Sequence, residues 1–284
     1  MTYIDSYFRN PVKTHVLANL LTDAREFPLI LGIFGPPGEG KTYQVNAIFS
    51  ELGIHEQLVS PGELESENAG APAQLLRREY MKASDRTCNG QPTALVIHDI
   101  DTVLGNWGEL VQYTVNRQIV YGQLMAFCDF PNEVNGHRTT RVPIVITGNN
   151  PSILYGPMMR PGRTRLLQWK PDTLMRFQII ASIFPQVEQE TLHAIVTKYP
   201  NKPVAFWADV RSAALESRVQ AAIDSIGETR VIELLKSGHR IQVDEEVNDP
   251  DLIGRIAHRF AGTDIRSDDY LAVGSGCEGS RGNG

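Results

Sequence analysis

Residues 35–42, GPPGEGKT, carry the residue types that hold a polyphosphate. They fit G-x-x-x-x-G-K-[ST] without a gap, follow the apolar run LILGIF and precede the helix-compatible TYQVNAIFSELG. Glycines let backbone N–H groups turn toward phosphate oxygens, and the N-terminus of the following helix adds positive partial charge. In this reading Gly35, Gly38 and Gly40 admit close backbone approach, Lys41 reaches the outer phosphates and the Thr42 hydroxyl ligates Mg²⁺. The candidate ATP-binding segment is therefore Gly35, Pro36, Pro37, Gly38, Glu39, Gly40, Lys41, Thr42 and Tyr43. A chance Gly-Pro turn ahead of a lysine would need neither the strand nor the helix, and both are present.

A second stretch, LVIHDID at 95–101, is an apolar run that ends in charge. Activating a water molecule needs a carboxylate within hydrogen-bond reach, and Asp99 is the nearest acid just beyond the run. The competing role for Asp99 is a helix or loop cap. His98 stands at the mouth of the strand, but Mg²⁺ prefers oxygen ligands. His98 is expected to act through neighbouring side chains or water.

These residues must be carried by a scaffold, and its pattern is visible. Near-continuous apolar runs recur at 28–35, 57–60, 94–98, 142–148 and 166–169, separated by helix-period segments. Short strands of that kind imply a parallel sheet covered on both faces, hence an α/β fold with the sheet sandwiched by helices. Within 109–128, Val111, Val115, Ile119, Val120, Leu124 and Phe127 form the stripe of a helix packed on that sheet. After Pro171 the strand signal stops, and five helical segments follow between 173 and 262. The expected organisation is an α/β nucleotide-binding subdomain over 1–170, a smaller all-helical lid over 171–262 and a disordered Gly/Ser-rich tail over 263–284.

Composition bounds the rest. Hydrophobic residues make up 42% of the 284 and charged residues 21%, with no apolar run long enough for a membrane span. MTYIDSYFRNPVKTH lacks the apolar core of a signal peptide, so the expected location is intracellular. Cys88, Cys128 and Cys277 stand far apart, which argues against a disulfide framework or zinc site. A net charge of −6 disfavours a broad nucleic-acid-binding face.

The strand-end sequence resembles that of the AAA+ ATPases, where four apolar residues lead into Asp-Glu, an apolar residue and Asp. Laid over ALVIHDID, this register puts His98 at the magnesium-ordering acid, Asp99 at the water-polarising one and Asp101 at the last. A one-residue slip would make Asp99 a magnesium residue and leave the catalytic position to Ile100, which cannot take a proton. The resemblance further implies a polar sensor at Asn149, at the end of VPIVITGNN (142–150). It implies arginine fingers at Arg160 and Arg163 in LYGPMMRPGR (154–163), offered to a neighbouring subunit's ATP, and a second sensor at Arg211 in FWADVRSAA (206–214). Guanidinium suits the finger role because it stays charged and spreads donors over the oxygens that gain charge in phosphoryl transfer.

At finer grain the chain resembles the Rubisco activases. GELESENAGAPAQLLRREY (62–80), ALVIHDID, QYTVNRQIV (112–120), RVPIVITGNN, LYGPMMRPGR and FWADVR carry the likeness, over roughly residues 10–240. What the resemblance implies is a hexameric ring that spends ATP to pull on Rubisco and release trapped sugar phosphates, in the cytoplasm or associated with a carboxysome. It resembles the cyanobacterial members whose core begins close to the N-terminus. The loop 65–70, with Glu65, Glu67 and Asn68, would line the pore and grip its substrate weakly, and Trp107 would sit in a second pore loop. Neither nucleic acid nor membrane enters as a partner.

Three departures qualify the likeness. The P-loop is of general AAA+ type, the domain that plant members carry before the core is expected to be missing, and His98 stands where activases commonly have Asn. With His98 there, Mg²⁺ would lean on Thr42, Asp99, phosphates and waters, implying a high Mg²⁺ requirement. Two alternatives stay open: an AAA+ ATPase acting on a different protein, or a nucleotide-gated scaffold with weak hydrolysis.

Overall fold

The computed structural model describes residues 3–22, 26–64, 70–104 and 111–262, with side chains at all of these but 103, 104 and 111–116. The pore-loop positions Glu65, Glu67 and Asn68, together with Trp107 and Cys277, lie outside the described residues. The strands are β1 (Ile30–Phe34), β2 (His55–Leu58), β3 (Thr93–Ile97), β4 (Glu133–Val134), β5 (His137–Arg138), β6 (Ile144–Gly148) and β7 (Thr164–Gln168). The helices are α1 (Ser6–Leu21), α2 (Lys41–Leu52), α3 (Pro61–Leu64), α4 (Ala71–Cys88), α5 (Asp101–Leu104), α6 (Val111–Asp129), α7 (Thr173–Ile183), α8 (Gln189–Val196), α9 (Val204–Ile226), α10 (Glu228–Lys236) and α11 (Pro250–Gly262). The chain divides into two compact units between Ile179 and Ile180.

In the first unit five strands form one parallel sheet in the order β2-β3-β6-β1-β7. β1, β3 and β6 are buried at every residue, because both faces are covered. Ile30 and Phe34, Leu95 and Ile97, and Ile144 and Ile146 pack with Leu76 and Tyr80 of α4 and with Leu124 and Phe127 of α6. Their alternates Leu31, Ile33, Val96 and Val145 are fully buried too, as a period of two requires. Each such side chain contributes roughly 1.5–3 kcal/mol of burial before entropy is counted. Tyr80 and Phe127 stack at 4.3 Å, fixing α4 against α6.

α1 is a helix that the strand-centred reading of the sequence passes over. Asp5 caps it by accepting the Tyr7 N–H at 2.7 Å, and Phe8, Val12, Val16 and Asn19 make its buried stripe despite Pro11. The hairpin β4–β5 turns at Asn135 and Gly136, both at positive φ, the Asn-Gly signature of a tight β-turn.

Beyond Ile183 every regular element among the described residues is a helix. α11 packs on α9 and α8, and Trp207, Val210, Leu192, Ile253 and Ile256 are buried there. No described helix is long and apolar enough to cross a membrane. Cys88 and Cys128 are free thiols, and burial pushes the Cys128 thiol up to about 12. Among the described residues no three His, Cys, Asp or Glu side chains group so as to hold a metal ion.

Candidate nucleotide site

Because β3, β6 and β1 are neighbours, their carboxyl ends bring three loops together, the place where open α/β sheets bind ligands. The β1 end runs into the phosphate loop. Gly38 and Gly40 adopt positive φ, and Gly40 heads α2 without any side-chain cap. A glycine there brings no side chain of its own to cap the first-turn amides, which suits an anion site. Gly35 is glycine for a different reason: a Cβ there would lie 1.7 Å from the Trp169 carbonyl oxygen. The Trp169 N–H in turn donates to the Phe34 carbonyl at 2.6 Å.

Lys41 points into the loop. Its ammonium donates to the carbonyls of Gly35 at 2.8 Å and Pro36 at 2.9 Å, and to Asn149 Oδ1 at 2.9 Å. Burial lowers its pKa, opposed by the negative charges of Asp99, Asp101 and Glu39. Lys41, Asn149 and the strand-end acids therefore share one electrostatic environment. Tyr43, Pro36 and Pro37 are exposed at the mouth, and Thr42 is half-buried.

Glu39 faces inward. Its carboxylate accepts from Arg176 at 2.8 and 3.3 Å, and its carbonyl accepts the Trp169 indole N–H at 2.7 Å. Only its backbone is left to serve a phosphate.

At the β3 end, Ile97 pairs with Ile146, so the next residues along, His98 and Thr147, meet through their side chains. His98 Nδ1 lies 3.2 Å from Thr147 Oγ1, and Nε2 lies 3.0 Å from Glu56 Oε1. Both ring nitrogens are engaged, as expected for a residue acting through neighbours. Asp99 is exposed and adopts φ 50°, a left-handed conformation that Asp and Asn tolerate better than most residues. Its N–H donates to Thr147 Oγ1 at 3.1 Å. The Ile100 N–H donates to the Thr147 carbonyl at 2.9 Å, so two successive amides of the turn land on one residue.

Asp101 bridges to the third loop, accepting the Asn149 N–H at 2.5 Å and the Asn150 N–H at 3.0 Å. Gly148 leaves room for this, since a Cβ there would stand 2.9 Å from the Asp101 carboxylate.

The two finger candidates lie elsewhere. The Arg163 carbonyl accepts the N–H of Ile30, at the amino end of β1, and the Arg160 carbonyl accepts the Arg163 N–H. Four strand rises, ~13 Å, separate that edge from Phe34 and the phosphate loop. Arg163 is held within the chain by Asp129 and the Pro157 carbonyl, whereas Arg160 is exposed and its side chain makes no hydrogen bond or ion pair among the described residues. Arg211 is in the second unit, on α9, and donates to the Glu245 carbonyl at 3.3 Å.

Four residues that the sequence reading did not single out shape this region: Thr147, Glu56, Arg176 and Asp129. Thr147 had a signal, as the one polar residue inside the apolar run VPIVITG. The other three meet their partners across 34 to 137 residues of sequence, which no local pattern reveals.

Residues 31–171 match the family model of AAA, the ATPase family associated with various cellular activities. With its parallel sheet, phosphate loop and helical second unit, the chain belongs to the AAA+ ATPases. The chloroplastic ribulose bisphosphate carboxylase/oxygenase activase of Vigna radiata var. radiata is 36% identical over 234 residues, 79% of this chain and 53% of that protein. Activase A of Hordeum vulgare is 37% identical over 234 residues, 79% and 50% of the two chains, and the Arabidopsis thaliana activase 35% over 238 residues, 81% and 50%. Within its class the chain is Rubisco activase-like. It spans about half the length of these curated relatives.

Proposed function

We propose that the chain hydrolyses ATP in a ring of identical copies and uses the cycle to remodel Rubisco, freeing inhibitory sugar phosphates from its active site. The observation that carries this reading is the convergence of Lys41, Asp99 and Asn149 at the carboxyl ends of adjacent strands. Likeness to activases over four-fifths of the chain supports Rubisco as the substrate.

In this reading the amides of Gly38 to Thr42 and the Lys41 ammonium hold the phosphates. Asp99 orients the attacking water, and Asn149 contacts it or the terminal phosphate. Lys41 exchanges its carbonyl partners for phosphate oxygens, which compensate the charge that burial disfavours. Mg²⁺ bound with ATP neutralises charge on the phosphate oxygens. It prefers oxygen donors, and Thr42 and Asp99 supply them, whereas both nitrogens of His98 are engaged.

Arg160 and Arg163 serve the site of the adjacent copy, since both lie at the sheet edge away from their own phosphate loop. Arg211, on α9, takes the second-sensor role that the resemblance implies, in a helical lid that begins near residue 171. The ring is a hexamer working in the cytoplasm or beside a carboxysome, with neither nucleic acid nor membrane as partner.

The test combines purified chain, ATP-Mg²⁺ and Rubisco inhibited by a tight-binding sugar phosphate. Recovery of carboxylation only with hydrolysable ATP is the expected result. ATP turnover without recovery of any cognate Rubisco would contradict the substrate while sparing the motor.

A further inference from the structure

We propose that Glu56, His98 and Thr147 form a positioning chain that fixes the backbone of Asp99, and that Asn46 anchors its far end to the phosphate-binding helix. The inference rests on the reading of Asp99 as the water-orienting carboxylate.

The geometry is continuous. Asp99 N–H donates to Thr147 Oγ1 at 3.1 Å, Thr147 Oγ1 meets His98 Nδ1 at 3.2 Å, and His98 Nε2 meets Glu56 Oε1 at 3.0 Å. With its amide in the orientation that satisfies both groups, Asn46 donates to Glu56 Oε2 at 3.1 Å and to the Thr42 carbonyl at 3.3 Å. The chain thus runs from the strand-end acid to the residue that closes the phosphate loop.

Hydrogen-bond chemistry gives the chain a direction. An ionised Glu56 only accepts, so His98 Nε2 carries the hydrogen between them. Nδ1 of a neutral ring is then an acceptor, and Thr147 donates its hydroxyl proton to it. This leaves the Thr147 oxygen lone pairs to receive the Asp99 N–H. Every polar atom of the chain has a partner, in a region where His98 is buried and Thr147 fully so.

The chain has something to hold. Asp99 sits at φ 50°, away from the conformations a strand end adopts without help. Thr147 fixes it twice over, through Asp99 and Ile100, and His98 fixes the Thr147 hydroxyl. His98 contributes here through its two nitrogens, 3.0 and 3.2 Å from oxygens on different strands, and not as a metal ligand. Apolar replacement of His98 leaves the Thr147 hydroxyl proton and Glu56 Oε1 without the partners they have in the chain, while Thr147→Val removes the acceptor for Asp99 at nearly constant volume.

The experiment measures kcat, KM for ATP, equilibrium nucleotide binding and thermal stability of the full chain. The variants are Thr147→Val, Thr147→Ser, His98→Leu, the double variant Thr147→Val/His98→Leu, Asp99→Asn and Asp99→Asn/His98→Leu. Misplacing a catalytic group by about an ångström costs up to ~100-fold, so Thr147→Val and His98→Leu each lower kcat by ~10- to 100-fold with KM and nucleotide affinity within ~2-fold. Thr147→Ser restores most of the loss. The double variant is no slower than the slower single, because both cut one chain. In the Asp99→Asn background, His98→Leu changes nothing further.

Normal kcat in Thr147→Val and His98→Leu, beside a collapsed Asp99→Asn, would overturn the positioning chain and leave the Asp99 reading standing. Undiminished hydrolysis by Asp99→Asn would overturn both. Loss of nucleotide binding and thermal stability in proportion to kcat, without rescue by serine, would make these residues structural only and overturn the proposal.

Discussion

The Arg163 guanidinium grips both carboxylate oxygens of Asp129 within one chain, Nε to Oδ1 at 3.0 Å and Nη2 to Oδ2 at 2.8 Å. A third donor reaches the Pro157 carbonyl at 3.0 Å, pinning the 3₁₀ turn Gly156–Met159 to the end of α6. Arg160, three residues earlier, has no such anchor.

This difference divides the labour between the two arginines. Arg160→Ala is expected to lower ATP turnover by ~10³-fold, as loss of an arginine finger does, with the melting temperature unchanged. Arg163→Ala is expected to cost about 1 kcal/mol of stability, a partly exposed bidentate pair being worth little more, and to disorder the presentation of Arg160. Asp129→Ala should copy the stability loss. Mixing Arg160→Ala with Lys41→Ala protein should recover part of the turnover. No recovery at any ratio would contradict a shared site.

Glu39 and Arg176 form the second pair of consequence. The Glu39 side chain is 4% exposed and that of Arg176 25%. Removing one partner of such a pair leaves a poorly hydrated charge, so Glu39→Ala is expected to cost about 3 kcal/mol. Because Trp169 also holds the Glu39 carbonyl, the phosphate loop should loosen and nucleotide affinity fall together with stability. Chemical denaturation and nucleotide titration of the same variant check this. Stability lost without any change in nucleotide affinity would show that the loop is held independently.

His15 predicts a pH dependence of folding. It is buried on α1, with Nε2 donating to the Ile144 carbonyl at 3.2 Å, and burial lowers its pKa to about 4, with Arg165 and Arg141 adding to the effect. Above the unfolded value near 6.5 the ring is neutral in both states and adds no pH dependence. As pH falls below that, the unfolded chain gains a proton that the folded chain refuses. Stability is therefore lost progressively down to about pH 4, by about 3 kcal/mol at most. Urea unfolding between pH 7.5 and 4.5 should show this slope in the wild type and a shallower one in His15→Gln, which keeps an N–H for Ile144. Identical slopes would exclude His15 as the source.

How much of this was legible in the sequence depended on distance along the chain. The phosphate loop lies within eight consecutive residues, and the strands β1, β3 and β6 announce themselves by unbroken apolarity because both their faces are covered. Asp99 was legible from its place just past a strand. The role of His98 was legible only in outline: magnesium's preference for oxygen turned it toward its neighbours, but Glu56 sits on an edge strand 42 residues earlier. Asp101 was read as the last acid of a motif, and its grip on the Asn149 and Asn150 amides needed the pairing of β3 with β6. Gly35 was read as serving phosphate, yet its lack of a Cβ serves Trp169, 134 residues on. α1 escaped notice because Pro11 interrupts an otherwise regular stripe.

The most direct test of the site is steady-state ATP hydrolysis by Asp99→Asn beside the wild type, with nucleotide binding measured on the same samples. Asn tolerates the left-handed backbone at this position and keeps the side chain's shape, so what changes is the carboxylate. The result expected is a fall of ~100-fold or more in kcat, the scale of a lost general base, with ATP affinity unchanged within ~2-fold. Hydrolysis at the wild-type rate would contradict the assignment of Asp99 and return the register of HDID to question.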